Sequence, residues 1–198
     1  MSSNDLEHVL IHSRAEWRAW LAGRHTQRES IWLVYYKKAS GKGTLTYDDI
    51  VEEALCFGWI DSKTNKVDDA RSKLLLSPRK PGSNWSKRNK DLVARLAPLG
   101  LIAPAGWAKI EAAKQDGTWT ALDEVEAGTI PPDLYAALEA LPPALANFEG
   151  FPKSVRRGIL EQLLSAKTEA TRQKRIALVA EMAARGERAF QYVPPERR

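Results

Sequence analysis

Residues 76–89, LSPRKPGSNWSKRN, concentrate the side chains best suited to holding an anion. The apolar run Leu74, Leu75 and Leu76 reads as a strand. Pro78, Pro81 and Gly82 break it, and Ser83 or Ser86 supplies an N-cap for a following helix. Arg79, Lys80, Lys87 and Arg88 crowd that helix start, with Asn89 just inside it. A helix N-terminus presents unpaired N–H groups and a positive dipole end, so cations there cost about 0.3–1 kcal/mol each, which an anionic ligand would offset. Ser83, Ser86 and backbone amides would add hydrogen bonds, and Trp85 could stack on a base. The competing uses are a solvated basic turn and, for Trp85, packing against the sheet.

Other residues with chemical potential are scattered. Asp61, in Trp59-Ile60-Asp61-Ser62, is positioned to accept hydrogen bonds in a turn or to orient Arg79. The single cysteine, Cys56, lies on or beside an apolar stripe with no histidine or cation close in sequence, which reads as a buried inert thiol. His8 and His12 stand four apart, a metal-ligand spacing on a helix, but they precede the first helix signal and lack a third ligand. The Gly41-Lys42-Gly43 turn lacks the preceding glycine and the following spacing of a phosphate-binding loop. No metal set, dinucleotide fingerprint or nucleophile elbow is present, so no cofactor is expected. A second cation group, Lys167, Arg172, Lys174 and Arg175, falls at the N-terminal side of the last long helix, a possible secondary anion surface or a solvated face.

The elements that must position these groups follow from capping and periodicity. Ser13 and Glu16 form a capping box for a helix over 14–22 carrying Trp17, Trp20 and Leu21 on one face. Residues 29–38, ESIWLVYYKK, are rich in β-formers and predict a strand. Thr46 caps a helix whose stripe is Ile50, Val51, Ala54, Leu55 and Phe57, ended by Gly58. A short strand at 59–62, a loop or hairpin at 63–71 and a strand at 72–77 lead into the basic turn. Helices then follow at 85–97 and from Pro104 to Gly117, the second carrying Trp107, Ile110 and Ala113 inward. Beyond Thr118 only helices are expected, near 121–126, 132–140, 143–148, 153–166 and 169–185, the last burying Ile176, Val179, Ala180 and Ala183. The expected fold is α+β: a sheet of about three to five strands within a part spanning 1–100, a helical part at 101–190 packed on it, and a disordered tail at 191–198.

Composition bounds the setting. A chain of 198 residues, 43% apolar and 28% charged, buries a core without staples. One cysteine permits no internal disulfide, and the N-terminus lacks a basic region followed by a long apolar run, so a cytoplasmic location is expected. No apolar run is long enough to cross a bilayer. The net charge of +5 is unevenly spread: residues 71–100 hold 8 Lys/Arg against 1 Asp/Glu, whereas residues 101–150 hold 2 against 8. A basic face of that kind suits nucleic acid, phosphorylated ligands or anionic lipid, or complements the acidic segment.

Four blocks carry a resemblance to a known family. Residues 53–61 (EALCFGWID), 77–89 (SPRKPGSNWSKRN), 104–107 (PAGW) with Lys114 and 116–119 (DGTW), and 166–176 (AKTEATRQKRI) together resemble the YdeI/OmpD-associated, bacteriocin-protection family. Leu101 and Ile102, before Ala103 and Pro104, depart from the polar or methionine-containing turn of relatives. The resemblance implies an association with antimicrobial-peptide or bacteriocin resistance and with an outer-membrane porin, without a biochemical activity. The N-terminal half also resembles, in element order, the small α/β fold of YjbR-type proteins, some of which are described as DNA-binding.

These readings lead to three expectations. The first is a non-enzymatic module binding nucleic acid or a small anion through Arg79, Lys80, Ser83, Trp85, Ser86, Lys87, Arg88 and Asn89. The second is an enzyme acting on a phosphorylated or carboxylated small molecule, with Asp61 as base, Arg79 as clamp and Cys56 or Ser86 nearby. The third is a stress protein working by protein contact, or by laying the apolar face of its last helix on anionic lipid, a face the core also claims.

Overall fold

The computed structural model describes residues 6–191; the tail expected at 191–198 lies outside them except for Gln191. The described residues form two compact units, one running to Ala121 and the other from Leu122.

In the first unit β1 (His8–Leu10), α1 (Arg14–Arg24), β2 (Ile31–Tyr36), α2 (Tyr47–Cys56), β3 (Trp59–Lys66), β4 (Arg71–Pro78), α3 (Lys87–Leu96) and α4 (Pro104–Asp116) follow in order. The sheet order is β1-β2-β4-β3, with β1 parallel to β2 and the other pairs antiparallel. His8 therefore lies on a strand, where a spacing of four does not place two imidazoles side by side as on a helix. The polar run after Ser62, expected as a loop or hairpin, is a hairpin in which β3 continues to Lys66 past a bulge between Asp61 and Thr64 and pairs with β4. Its side chains are exposed, so no apolar alternation marked it.

Caps form where the sequence places them. Ser13 Oγ accepts from the Glu16 amide, and Thr46 with Asp49 closes a full capping box. One sheet face and α1, α2 and α4 bury Trp17, Leu21, Leu33, Leu55, Trp59, Leu76 and Ile110 in one core. At the margin of that core Glu53, only 2% exposed, accepts from Arg14 Nε (2.7 Å) and Arg18 Nη1 (2.6 Å), and Glu52 accepts from Arg95 Nη2 at 2.5 Å. These pairs satisfy two carboxylates that α2 would otherwise bury alone.

The expectation for α4 needs correcting at Trp107, which is exposed at 38%. Gly106 takes the inward place: a Cβ built there would stand 2.2 Å from the Cys56 carbonyl oxygen. Only a residue without a side chain admits this approach, so the buried line runs through Gly106, Ile110 and Ala113 and turns the indole outward.

The second unit is helical: α5 (Asp123–Ala127), α6 (Pro132–Glu139), α7 (Ala144–Gly150), α8 (Lys153–Leu164) and α9 (Glu169–Ala184). Leu134, Leu138, Phe148, Ile159, Leu163, Ile176, Val179, Ala180 and Ala183 make its core. The apolar face of α9 is thus spent within the unit and is not available to lie on lipid. No described helix is long and apolar enough to cross a membrane.

Candidate functional site

The strand β4 ends at Pro78, and the next residue leaves the sheet with its amide bonded to the Gly58 carbonyl at 2.9 Å. Gly58 holds φ +77°, a left-handed turn between α2 and β3 that a side chain would strain. This pinning directs the Arg79 side chain inward. The residue is only 3% exposed, and its guanidinium carbon lies 3.8 Å from the centre of the Trp85 ring. Nη1 donates to the Asn84 carbonyl at 3.3 Å. Nε and Nη2 are buried without any hydrogen-bond partner. Burial pushes the Arg79 pKa down to about 10, with Asp61 partly opposing that.

A cleft of about 620 Å³ opens beside this arginine. Its walls include Phe57, Pro78, Pro81, Ala105 and Ala108, with Arg28, Lys80 and Lys109 supplying charge and no carboxylate among the lining residues. A cavity of about 80 Å³ adjoins Arg79 beside Ser83, Trp85, Asp116 and Thr118. The Thr118 hydroxyl donates to Asp116 at 2.6 Å and holds that carboxyl below its usual range. Arg79, Lys80, Pro81 and Lys109 border both spaces.

The rest of the basic turn has structural work. Trp85 is 1% exposed, its amide bonds the Thr118 carbonyl at 3.2 Å and its ring lies 5.1 Å from that of Trp119. It packs beneath Arg79, with no face open to a base. Ser86 is the N-cap of α3: its Oγ accepts from the Asn89 amide and donates to Asn89 Oδ1 at 2.8 Å. Lys87 pairs with Asp91 at 2.7 Å. Arg88 reaches Asp48 at 2.7 Å and lies over the Tyr47 ring, so its charge sits against the acidic first turn of α2. Ser83 closes a turn onto the Lys80 carbonyl, and Lys80 is exposed. Sequence spacing thus grouped eight residues, of which the structure brings Arg79, Lys80, Ser83 and Trp85 to the two cavities.

Asp61 makes no ion pair with Arg79; it accepts from the Tyr47 hydroxyl at 2.6 Å. Burial and that bond raise the Tyr47 pKa to about 12. Asp61 is also absent from the cleft lining. Burial likewise pushes the Cys56 thiol up to about 11, away from nucleophilic character. Among the described residues no group of three or more His, Cys, Asp or Glu could hold a metal ion.

The second cation group serves the helical unit. Arg172 grips Asp133 through Nε (2.6 Å) and Nη2 (2.9 Å), and its Nη1 donates to the Leu163 carbonyl. Arg175 donates to the Gln162 carbonyl and, at 2.9 Å, to Ser165 Oγ. These arginines stand at the start of α9 where they donate to carbonyls in the last turn of α8. Lys167 is exposed. Arg172 holds the Asp133 carboxyl below its usual range. A depressed carboxyl stabilises the fold at neutral pH and loses that contribution as pH falls through the lowered value. Arg172→Ala is therefore expected to cost about 1 kcal/mol at neutral pH. The gap to wild type should close in acid, as read by hydrogen exchange of the α6 and α9 amides across a pH series.

Residues 9–109 match a family described as Domain of unknown function (DUF8412). Residues 127–186 match the family described as Bacteriocin-protection, YdeI or OmpD-Associated. The chain belongs to the DUF8412 family and carries a YdeI/OmpD-associated domain. The division follows the two units, and the resembling blocks divide with it: residues 53–61 and 77–89 fall in the DUF8412 part, and 166–176 in the YdeI/OmpD-associated part. Neither the curated proteins nor the solved structures yielded a match. Arg79 and the cleft residues named above fall within the DUF8412 part.

The sequence reading missed Arg28, Phe57, Ala105, Ala108 and Lys109. The available signal was glycine: Gly58 at a helix end and Gly106 inside a helix, where glycine costs about 1 kcal/mol unless close packing requires it. Both mark the place where α4 meets the α2–β3 turn. A Cβ on Gly58 would meet Lys109 Cγ at 2.8 Å and the Ala105 carbonyl at 3.0 Å.

Proposed function

We propose that the DUF8412 part of this chain is a binding module for an anionic ligand, taken at Arg79 from the adjoining cleft. The observation that carries this reading is the buried guanidinium with Nε and Nη2 unpartnered. Buried arginines are ordinarily paired, because an unpaired buried charge costs several kcal/mol, and an incoming anion supplies the missing partner. A small anion suits the site better than nucleic acid. Trp85 is covered, and Lys87 and Arg88 already have carboxylate partners, so the surface lacks the stacking platform and free cation track of a strand-binding groove.

Binding without catalysis is the better fit to the lining. Asp61, the sequence's candidate base, is engaged by Tyr47, and the Cys56 thiol is held protonated. The module acts in the cytoplasm, and any part it plays in stress or antimicrobial-peptide resistance runs through capture of its ligand. Thermal denaturation in the presence of sulfate, phosphate, a nucleoside monophosphate and organic carboxylates tests this. At least one anion should raise the midpoint in wild type and do so far less in Arg79→Gln. A panel without effect, or one acting equally on the variant, refutes it. In parallel, DNA or RNA binding that weakens steeply with salt and is lost in a Lys80→Ala/Arg88→Ala variant would replace it with the nucleic-acid reading.

A further inference from the structure

The part of the guanidinium left open narrows the class of ligand. We infer that the anion at Arg79 is the carboxylate of a small organic acid whose apolar body lies in the cleft; this rests on the binding reading above and adds the ligand's chemistry to it. Nε–H and Nη2–H lie side by side on one edge of the guanidinium plane, while Nη1 is held by the Asn84 carbonyl. Two parallel donors on one edge match the two oxygens of a carboxylate in a bidentate pair. Trp85 covers one face of the guanidinium at 3.8 Å, so that edge is met in its own plane by a group that is itself planar.

Charge and shape agree. The buried, unpaired guanidinium is answered by a carboxylate's single negative charge, and Arg28, Lys80 and Lys109 add positive charge around the cleft. Phe57, Pro78, Pro81, Ala105 and Ala108 offer the remainder of the molecule an apolar wall. A volume of about 620 Å³ falls in the range of organic-ligand pockets. Both open nitrogens are covered in the unliganded chain, so the carboxylate displaces what lies over them. Lys80 and Lys109, long and flexible, border both cavities.

The test is calorimetric titration of the full chain with octanoate and phenylacetate, with their neutral amides octanamide and phenylacetamide, and with phenyl phosphate and inorganic phosphate. Tryptophan emission is followed alongside, since the guanidinium stacks on Trp85. At least one acid should bind about tenfold or more tightly than its amide, the difference expected when a charged hydrogen-bonded pair is lost. Arg79→Lys, which keeps the charge and loses the fork, and Arg79→Gln should both lose most of that preference. Acids binding no better than amides, or no acid binding, overturns the inference, and the comparison in wild type needs no variant to fold. Phenyl phosphate binding through Arg79 while the acids stay inert overturns the carboxylate assignment and leaves the anion reading standing. Absence of any Arg79-dependent anion binding overturns both.

Discussion

Arg79→Met is expected to raise the unfolding midpoint of the ligand-free chain by several degrees. A guanidinium whose pKa is pushed down to about 10 by burial has its charged form destabilised by about 3 kcal/mol. Methionine follows the arginine stem, keeps contact with the Trp85 ring and carries no charge. Loss of the cation–π contact at Trp85 and of the long bond to the Asn84 carbonyl takes back about 2 kcal/mol, leaving a net gain of about 1 kcal/mol. The sign with pH follows from linkage. The unfolded chain holds the arginine proton more firmly, so the penalty is complete below about pH 10 and is relieved as pH climbs above it toward the ordinary arginine range. The advantage of Arg79→Met should therefore be full at neutral pH and shrink in strong alkali. Thermal denaturation followed by circular dichroism decides it. A variant less stable than wild type by about 1 kcal/mol or more would mean that the arginine is already satisfied within the fold, and the anion reading would lose its main support.

The second large effect is expected at Gly106. An alanine Cβ there would stand 2.2 Å from the Cys56 carbonyl oxygen and 2.8 Å from its carbon. These are backbone atoms at the end of α2, so no rotamer change relieves the overlap and α4 must move as a body. The shift breaks the 3.0 Å bond from the Ala103 amide to the Cys56 carbonyl. Gly106→Ala should cost about 3 kcal/mol, at the upper end for overpacking. It should also weaken ligand binding, because Ala105, Ala108 and Lys109 ride on the same helix. Gly23→Ala is the control: Gly23 lies inside α1 with nothing within 4 Å of a built Cβ, so the change should be neutral or stabilising by up to about 1 kcal/mol. Urea denaturation of both variants beside wild type gives the comparison, and equal costs would remove the close approach of α4 as an explanation.

Local chemistry made most of the fold legible. Ser13, Thr46, Ser86 and Thr168 all cap the helices that their positions predicted, since a cap is decided within four residues. The α+β division, with the sheet within the first 80 residues, emerged from the same patterns. What escaped was set by partners distant in sequence. The exposed extension of β3 has no apolar face to announce it, and the outward turn of Trp107 depends on a carbonyl fifty-one residues earlier. The basic turn shows both sides. Its crowding of cations pointed to an anion site, yet Lys87 and Arg88 are answered by Asp91 and Asp48. Arg79 alone among the turn's arginines is buried without a carboxylate, a fact that depends on Trp85 folding beneath it. Arg172 and Arg175 looked misplaced on the α9 dipole because the carbonyls they serve belong to α8.

The sole cysteine of the 198 residues also makes the chain its own clock. Cys56 sits at the end of α2, its carbonyl wedged against Gly106 and bonded to Ala103, its sulfur shielded and protonated. An alkylating reagent meets a reactive thiolate there only when the packing around the end of α2 opens. Labelling kinetics at this one atom therefore count the openings of the core around α2, in the unaltered protein and with no engineered probe.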